Sequence, residues 1–266
     1  MNKSLGSSRW SFAARKGYAH QMSHGDALAG SRGLSVVLDL ESGLGLDDLR
    51  KRVGEYKIAT DYDGSLNILR RRVGATLRLD SADHRTAVLA WLRQWGCRGL
   101  DLASEMTSAG ALLAWADAWV PHLPESARSL TELSPDEIVT VAIAYGQLAS
   151  AVAGVRHRAR GDSEVTFGPT AAAKTMYALR PNACAPWDGP IRYGLGLSEN
   201  DAAYRSYLQL VGHALIKTAD RAGVAVEKLP RLVGRPDSSP PKLIDEYLWM
   251  RITRGAPRGP SLQPSS

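Results

Sequence analysis

Val165-Thr-Phe-Gly-Pro-Thr-Ala-Ala-Ala-Lys-Thr-Met-Tyr-Ala-Leu-Arg-Pro-Asn-Ala-Cys-Ala-Pro-Trp-Asp-Gly-Pro-Ile-Arg192 is the stretch that decides how the rest of the chain is read. The Phe167-Gly168-Pro169 turn opens a helix of small residues, predicted from about Gly168 to Leu179. Proline is tolerated in a first helical turn, where its missing N–H would lack an intrahelical partner anyway. The other first-turn N–H groups lack such partners too, and the helix dipole favours an anion there. Because Pro169 has no N–H, the donors would be Gly168, Thr170 and Ala171. Alanines 171 to 173 would let a partner approach closely. A proline-bounded loop follows and ends on a lone acid, Asp188, between Trp187 and Gly189. By residue type alone such an aspartate is a turn or helix-cap residue as readily as a reactive carboxylate.

Working outward, helical signals dominate. Ser81 is positioned to cap a helix running to Trp95, with Gly96 as its stop. A second helix spans about Glu105 to Val120, ahead of Pro121. Ser134-Pro-Asp-Glu137 combines an N-cap, a first-turn proline and a capping-box glutamate, with Ile138, Val141, Ala142, Tyr145 and Leu148 following at helical spacing. Beyond Asp188, a long helix is predicted from Asp201 to Ala222, closed by Gly223. The last starts near Pro241 and carries Leu243, Ile244, Tyr247, Leu248 and Ile252 on one face. Trp91, Trp95, Trp115 and Trp119 fall on apolar helical stripes and are assigned to the core.

The exceptions are few. Leu34 to Leu40 reads as a strand, Asp47 to Val53 as a short helix, and Asp61 to Gly64 as a turn. Residues 154 to 164 read as a polar, basic break, with Arg156, His157, Arg158 and Arg160 as the densest positive cluster. The fold class is therefore all-α with little sheet. Residues 1–33, rich in Gly, Ser and Ala, are expected to be a flexible basic segment. A helical domain is expected over 34–254 and a flexible tail over 255–266.

The chain has 266 residues, 44% of them hydrophobic and 23% charged, which suits a folded core rather than wholesale disorder. No apolar run reaches the roughly 18 residues that span a bilayer, and no apolar stretch follows the N-terminal charges as a secretory signal requires. A cytoplasmic protein with no membrane association is the expectation. Cys97 and Cys184 have no ligand-spaced partners, so neither a structural metal nor a cofactor is expected. A formal net charge of +6 supports nucleic-acid binding only weakly by itself. Its distribution adds to it: residues 1–33 hold five Lys/Arg against one Asp, and the last sixteen residues hold Arg251, Arg254 and Arg258 with no acid.

The quoted stretch resembles the helix-hairpin-helix DNA glycosylases of the endonuclease III and alkyl-adenine glycosylase superfamily. Those proteins carry a glycine-containing hairpin, a short helix, and then a Pro-x-Asp loop before another helix. Here Gly168 stands as the last hairpin glycine and Asp188 follows 20 residues later. Asp188-Gly-Pro-Ile-Arg192 resembles the family's Asp-Thr-His-Val-Arg. The resemblance covers about 28 residues. The usual Leu-Pro-Gly before the hairpin is replaced by Glu164-Val-Thr-Phe167, and no four-cysteine cluster loop is present.

The resemblance implies a two-lobed helical fold with a DNA groove between lobes, acting as a monomer on double-stranded DNA that contains a damaged or modified base. Asp188 would be the catalytic carboxylate, and Trp187 a wall of the base pocket. Gly168, Thr170, Ala171, Lys174 and Arg192 would contact DNA, together with the basic loop residues Arg156, Arg158 and Arg160. Thr170 stands where bifunctional members carry the lysine that attacks the sugar, so base excision without strand cleavage is implied. Such enzymes serve repair or defence against modified phage DNA. The alternative is a duplex-DNA-binding protein of the same fold without catalysis.

Overall fold

The computed structural model describes residues 24–60, 62–74, 76–97, 100–157 and 161–254. Eleven α-helices and one two-stranded sheet lie among them. In chain order the helices are α1 (His24–Ser42), α2 (Leu46–Ala59), α3 (Tyr62–Val73), α4 (Ala82–Gln94), α5 (Glu105–Trp119) and α6 (Pro135–Ser150). Strands β1 (Val152–Arg156) and β2 (Ser163–Thr166) follow. Then come α7 (Gly168–Leu179), α8 (Gly189–Gly194), α9 (Asp201–Ala222), α10 (Leu229–Leu232) and α11 (Pro240–Leu248), with a π turn over Trp249–Thr253. The protein is mostly helical, as the apolar periodicities predict. Among the described residues no helix is long and apolar enough to cross a membrane.

The sharpest sequence signals become the sharpest boundaries. Ser134 Oγ accepts from the Glu137 N–H at 3.2 Å while the Glu137 carboxylate accepts from the Ser134 N–H at 2.7 Å, forming the reciprocal capping box that starts α6. Gly223 closes α9 in the left-handed region that glycine adopts at low cost. One hydrophobic cluster then runs from Val36 in α1 to Leu248 in α11. Within it α6 packs on α7 and α9, α1 on α9, α11 on α2 and α9, and α3 to α5 pack in sequence. Trp91, Trp95 and Trp115 are buried in this cluster and Trp119 packs against it.

Three local expectations are corrected. Leu34 to Leu40 belongs to helix α1, not to a strand. Val36 and Leu40 point into the core, whereas Leu34 and Leu38 are about half exposed, and burial at i and i+4 is the helical face rather than the alternation of a sheet. The expected boundary at residue 33 therefore falls inside α1; residues 1–23 and 255–266 lie outside the described residues. Tyr62 to Gly64 is the first turn of α3 rather than a turn between helices. Asp63 there suits the helix dipole and pairs with Arg235 at 2.7 Å; Asp61 lies outside the described residues.

The third correction concerns residues 154 to 164. Their described ends belong to an antiparallel pair of strands in which Gly154, Val155 and Arg156 pair with Val165, Glu164 and Ser163. A tertiary hold outweighs the weak strand propensity. Ser108 Oγ donates to the Ala153 carbonyl, Gly154 packs so closely on Ser104 that a Cβ would overlap its side chain, and the Phe167 N–H closes the base on Ala151 at 3.0 Å. The chain thus passes from α6 to α7 through a β-ribbon rather than through a tight turn alone.

Gly43 carries a second position that only glycine fits. Its φ is +83°, and a Cβ there would sit 2.7 Å from Lys217 Cβ and 2.8 Å from its backbone carbon. The next residue donates its N–H to the buried Thr218 hydroxyl at 2.9 Å, so the loop cannot shift freely away from α9. Gly43→Ala is expected to destabilise the fold by more than about 1 kcal/mol, read as a lower urea midpoint at unchanged m-value; an unchanged midpoint would contradict the close approach.

Candidate active site

The loop that delivers Asp188 is fixed from behind by aromatic residues. The hydroxyls of Tyr204 and Tyr207, one turn apart on α9, donate to the carbonyls of Ala185 at 3.0 Å and Pro186 at 2.9 Å. Trp187 fills the space between these tyrosines. Its ring stacks on Tyr207 with centroids 5.0 Å apart and meets Tyr145 and Tyr204 edge-on. Trp187 is fully buried and presents no surface to a ligand in this structure. It packs the aspartate loop, which is the other role its position allows.

Asp188 itself is half-buried with extended backbone. Its Oδ1 accepts from the Ile191 N–H at 2.9 Å and so caps α8. Among the described residues Oδ2 takes no hydrogen bond, which leaves it able to accept one from a ligand or water. The cap explains why an acid followed by Gly-Pro stands here: Asp is among the best N-cap residues, and proline suits the first turn.

The site residues on α7 and α8 are joined by one guanidinium. Arg192 is only 5% exposed. Its Nη1 donates to Thr170 Oγ1 at 3.1 Å, its Nη2 to Glu199 Oε1 at 3.1 Å, and its Cζ lies 5.5 Å from the Trp187 ring centre. Thr170, Trp187, Asp188 and Arg192 are therefore brought together by direct contacts or by chain neighbours. Gly168 starts α7 beside them at φ +71°, with open space where a Cβ would stand.

Other residues of the predicted set are placed differently. Ala171, Ala172 and Ala173 are buried against the protein itself, so their small size serves helix packing. Lys174 also turns inward. Its Nζ donates to the Trp95 carbonyl at 2.8 Å and lies 5.0 Å from that ring's centre. Burial pushes the Lys174 amine below the usual lysine range, against the opposing charges of Asp188 and Asp245. Arg156 is exposed on the hairpin, next to the His157–Asp162 pair at 2.8 Å. Arg158 and Arg160 lie outside the described residues.

Sequence reading missed the ionic cluster behind this loop. Lys242, Asp245 and Glu246 all lie on α11, and every residue of that helix is buried. Lys242 Nζ contacts Asp245 Oδ2 at 2.5 Å and donates to the Tyr56 hydroxyl at 3.1 Å. Arg235 grips Glu246 with two N–H groups at 2.6 and 3.1 Å. The charge of Asp188 is felt by Lys174, Tyr207 and Asp245, so the candidate carboxylate and this cluster share one electrostatic neighbourhood. Burial raises the Asp245 carboxyl above the usual aspartate range; Lys242 opposes this and the Asp188 charge adds to it.

Comparison with models of known protein families, with curated proteins and with solved structures gives no match.

Proposed function

We propose that this protein is a monofunctional DNA glycosylase, with helical lobes on either side of a DNA groove, that hydrolyses the N-glycosidic bond of a base swung out of a duplex. The observation that carries the reading is the placement of Asp188: a half-buried carboxylate fixed as the cap of α8, beside the start of α7, with the two helices clamped by the Arg192–Thr170 contact. N-glycosidic cleavage sends the bond electrons out with the base and leaves an oxocarbenium-like sugar. A preorganised carboxylate opposes that positive charge, then accepts the proton of the water that attacks the sugar carbon. Extrusion of the base into the protein must come first.

The expected product is an abasic site in an intact strand. Thr170 has no amine with which to form a Schiff base, and the Lys174 amine is spent on the Trp95 carbonyl. Incubation with duplexes carrying a panel of damaged and modified bases, scored for abasic sites with and without alkali, tests the proposal. Absence of base release from every duplex counts against it, and a borohydride-trapped complex counts against the monofunctional assignment. The second reading, a DNA-binding protein without catalysis, draws on the complete burial of Trp187, which leaves that ring no face for a base. Retained duplex binding without base release selects it.

The exposed Arg156 makes a separate prediction. Arg156→Ala is expected to weaken binding to all duplex sequences alike and to lower the magnitude of the log–log salt slope by roughly 0.9, the value for one lost phosphate contact. Equal slopes for the two proteins in a fluorescence-anisotropy salt series would remove the hairpin from the DNA interface.

A further inference from the structure

The helix that begins at Asp188 is only six residues long. A helix so short does not hold itself in place, because ordering its first turn outweighs the few hydrogen bonds it gains. Its position is set by what it packs against. One end is accounted for: Asp188 caps it, and Arg192 ties it to Thr170. The other end, Gly194, lies where α1, α8 and the π turn meet. A Cβ at Gly33 of α1 would overlap the Gly194 carbonyl oxygen, and a Cβ at Gly194 would overlap the Ile252 side chain of the π turn.

Neither glycine is required by its backbone. Gly33 and Gly194 are helical and lie outside the left-handed region, so other residues could adopt their conformation. Glycine within a helix is otherwise unfavourable. Space alone therefore asks for it at both positions, where it lets α1 and Ile252 close on α8. These two jaws are also tied to each other. Arg251, beside Ile252 in the π turn, pairs with Asp39 of α1 at 3.0 Å and reaches Asp48 of α2 at 3.8 Å. The π turn thus sets one side chain on α1 and the next on α8, and π insertions of this kind recur at functional sites.

We propose that α1 and the π turn form a clamp that fixes the orientation of α8, and that Gly33, Gly194 and Ile252 are thereby positioning residues for Asp188. The effect on chemistry rests on the glycosylase reading; the clamp itself does not. At a rise of roughly 1.5 Å per residue α8 is about 9 Å long, so a tilt forced at Gly194 moves the carboxylate at its other end. A misplacement of about 1 Å at a reacting centre lowers a rate by roughly a hundredfold.

Gly194→Ala, Ile252→Ala and the double variant, all in the full-length protein, test this as a cycle. Gly194→Ala forces a Cβ onto Ile252, and Ile252→Ala empties one jaw, so each single change should disturb α8. The double variant should lie closer to the native protein than either, because the new Cβ occupies room that the lost side chain leaves. Amide hydrogen exchange is read at Ile191, whose N–H is held by Asp188 Oδ1. It should be about tenfold faster in each single variant and near native in the double. Single-turnover base release should fall by about tenfold to a hundredfold in Gly194→Ala, at unchanged half-saturating duplex concentration, and recover in the double variant. If Gly194→Ala does not fold, Ile252→Ala alone carries the exchange test. Exchange that follows the cycle in a protein that releases no base keeps the clamp and removes the glycosylase reading. Native exchange at Ile191 in the single variants, or losses that add in the double, overturn the clamp. Native base release alongside disturbed exchange overturns the positioning role.

Discussion

Asp188→Asn is expected to abolish base release while leaving duplex binding unchanged or slightly tighter. Asparagine matches aspartate in shape and is as good an N-cap, so the bond from the Ile191 N–H and the start of α8 should survive. What is lost is the negative charge opposite the developing oxocarbenium. Removal of one preorganised electrostatic group costs about a hundred- to a thousand-fold in rate, or roughly 3–4 kcal/mol of transition-state stabilisation. Removing an anion near the phosphates cannot weaken ground-state attraction to DNA. Single-turnover base release, on whichever base the native protein excises, measures the first effect and anisotropy the second. Asp188→Ala is the informative companion. It removes charge and cap together, so it should show the same rate loss plus about 1 kcal/mol of destabilisation. Full activity of the Asn variant would leave Asp188 as a capping residue only.

What the sequence disclosed followed the strength of local signals. The limits of α7 and α9 and the capping box of α6 were legible because glycine, proline and capping side chains act within a few residues of themselves. The β-ribbon was not legible, because it is held by Ser104 and Ser108 of a distant segment, about 50 residues earlier. The Leu34 to Leu40 run misled because Val and Leu in near-alternation fit both periods; packing on α9 decided for the helix. Asp188, Thr170 and Arg192 were picked out by a short motif, and their mutual placement required only the turn from α7 back to α8. Lys174 and Trp187 were picked out by the same motif, yet both face inward. Sequence gives the residue at a position but not which side of the helix or loop the core claims.

The ionic cluster on α11 was hidden for a related reason. Lys242, Asp245 and Glu246 read as the polar face of an amphipathic helix, which is ordinarily solvated. Here that face is covered by α2, α9 and the 234–238 loop, so charges that sequence places in water are in the interior. Such an arrangement holds only if each charge has a partner, and the short Arg235–Glu246, Arg235–Asp63 and Lys242–Asp245 contacts supply them.

Arg235→Met should therefore be among the most destabilising single substitutions outside the apolar core. Methionine fills much of the same space, but it leaves Glu246, which has no exposed surface, without the two hydrogen bonds it accepts. Breaking a buried pair from one side costs about 3–5 kcal/mol, against a total stability of roughly 5–15 kcal/mol for a folded domain. The loss should depend on pH. Burial already pushes the Glu246 carboxyl up from its ordinary 4.5 to about 7, with Lys242 and Arg235 holding it down. Without Arg235 it rises further. A carboxyl whose folded value lies above its unfolded value binds a proton more tightly in the folded protein. Its favourable contribution is complete below the unfolded value and is lost as pH rises through the folded one. The variant should thus lie closest to the native protein near pH 5, where Glu246 is neutral, and fall furthest behind near pH 8, where the unpaired carboxylate must ionise or the fold must open. Urea denaturation of both proteins at the two pH values measures the difference. Equal losses at pH 5 and pH 8 would show that Glu246 does not carry the effect, and a loss under about 1 kcal/mol at pH 8 would show that the pair contributes no more than an exposed one.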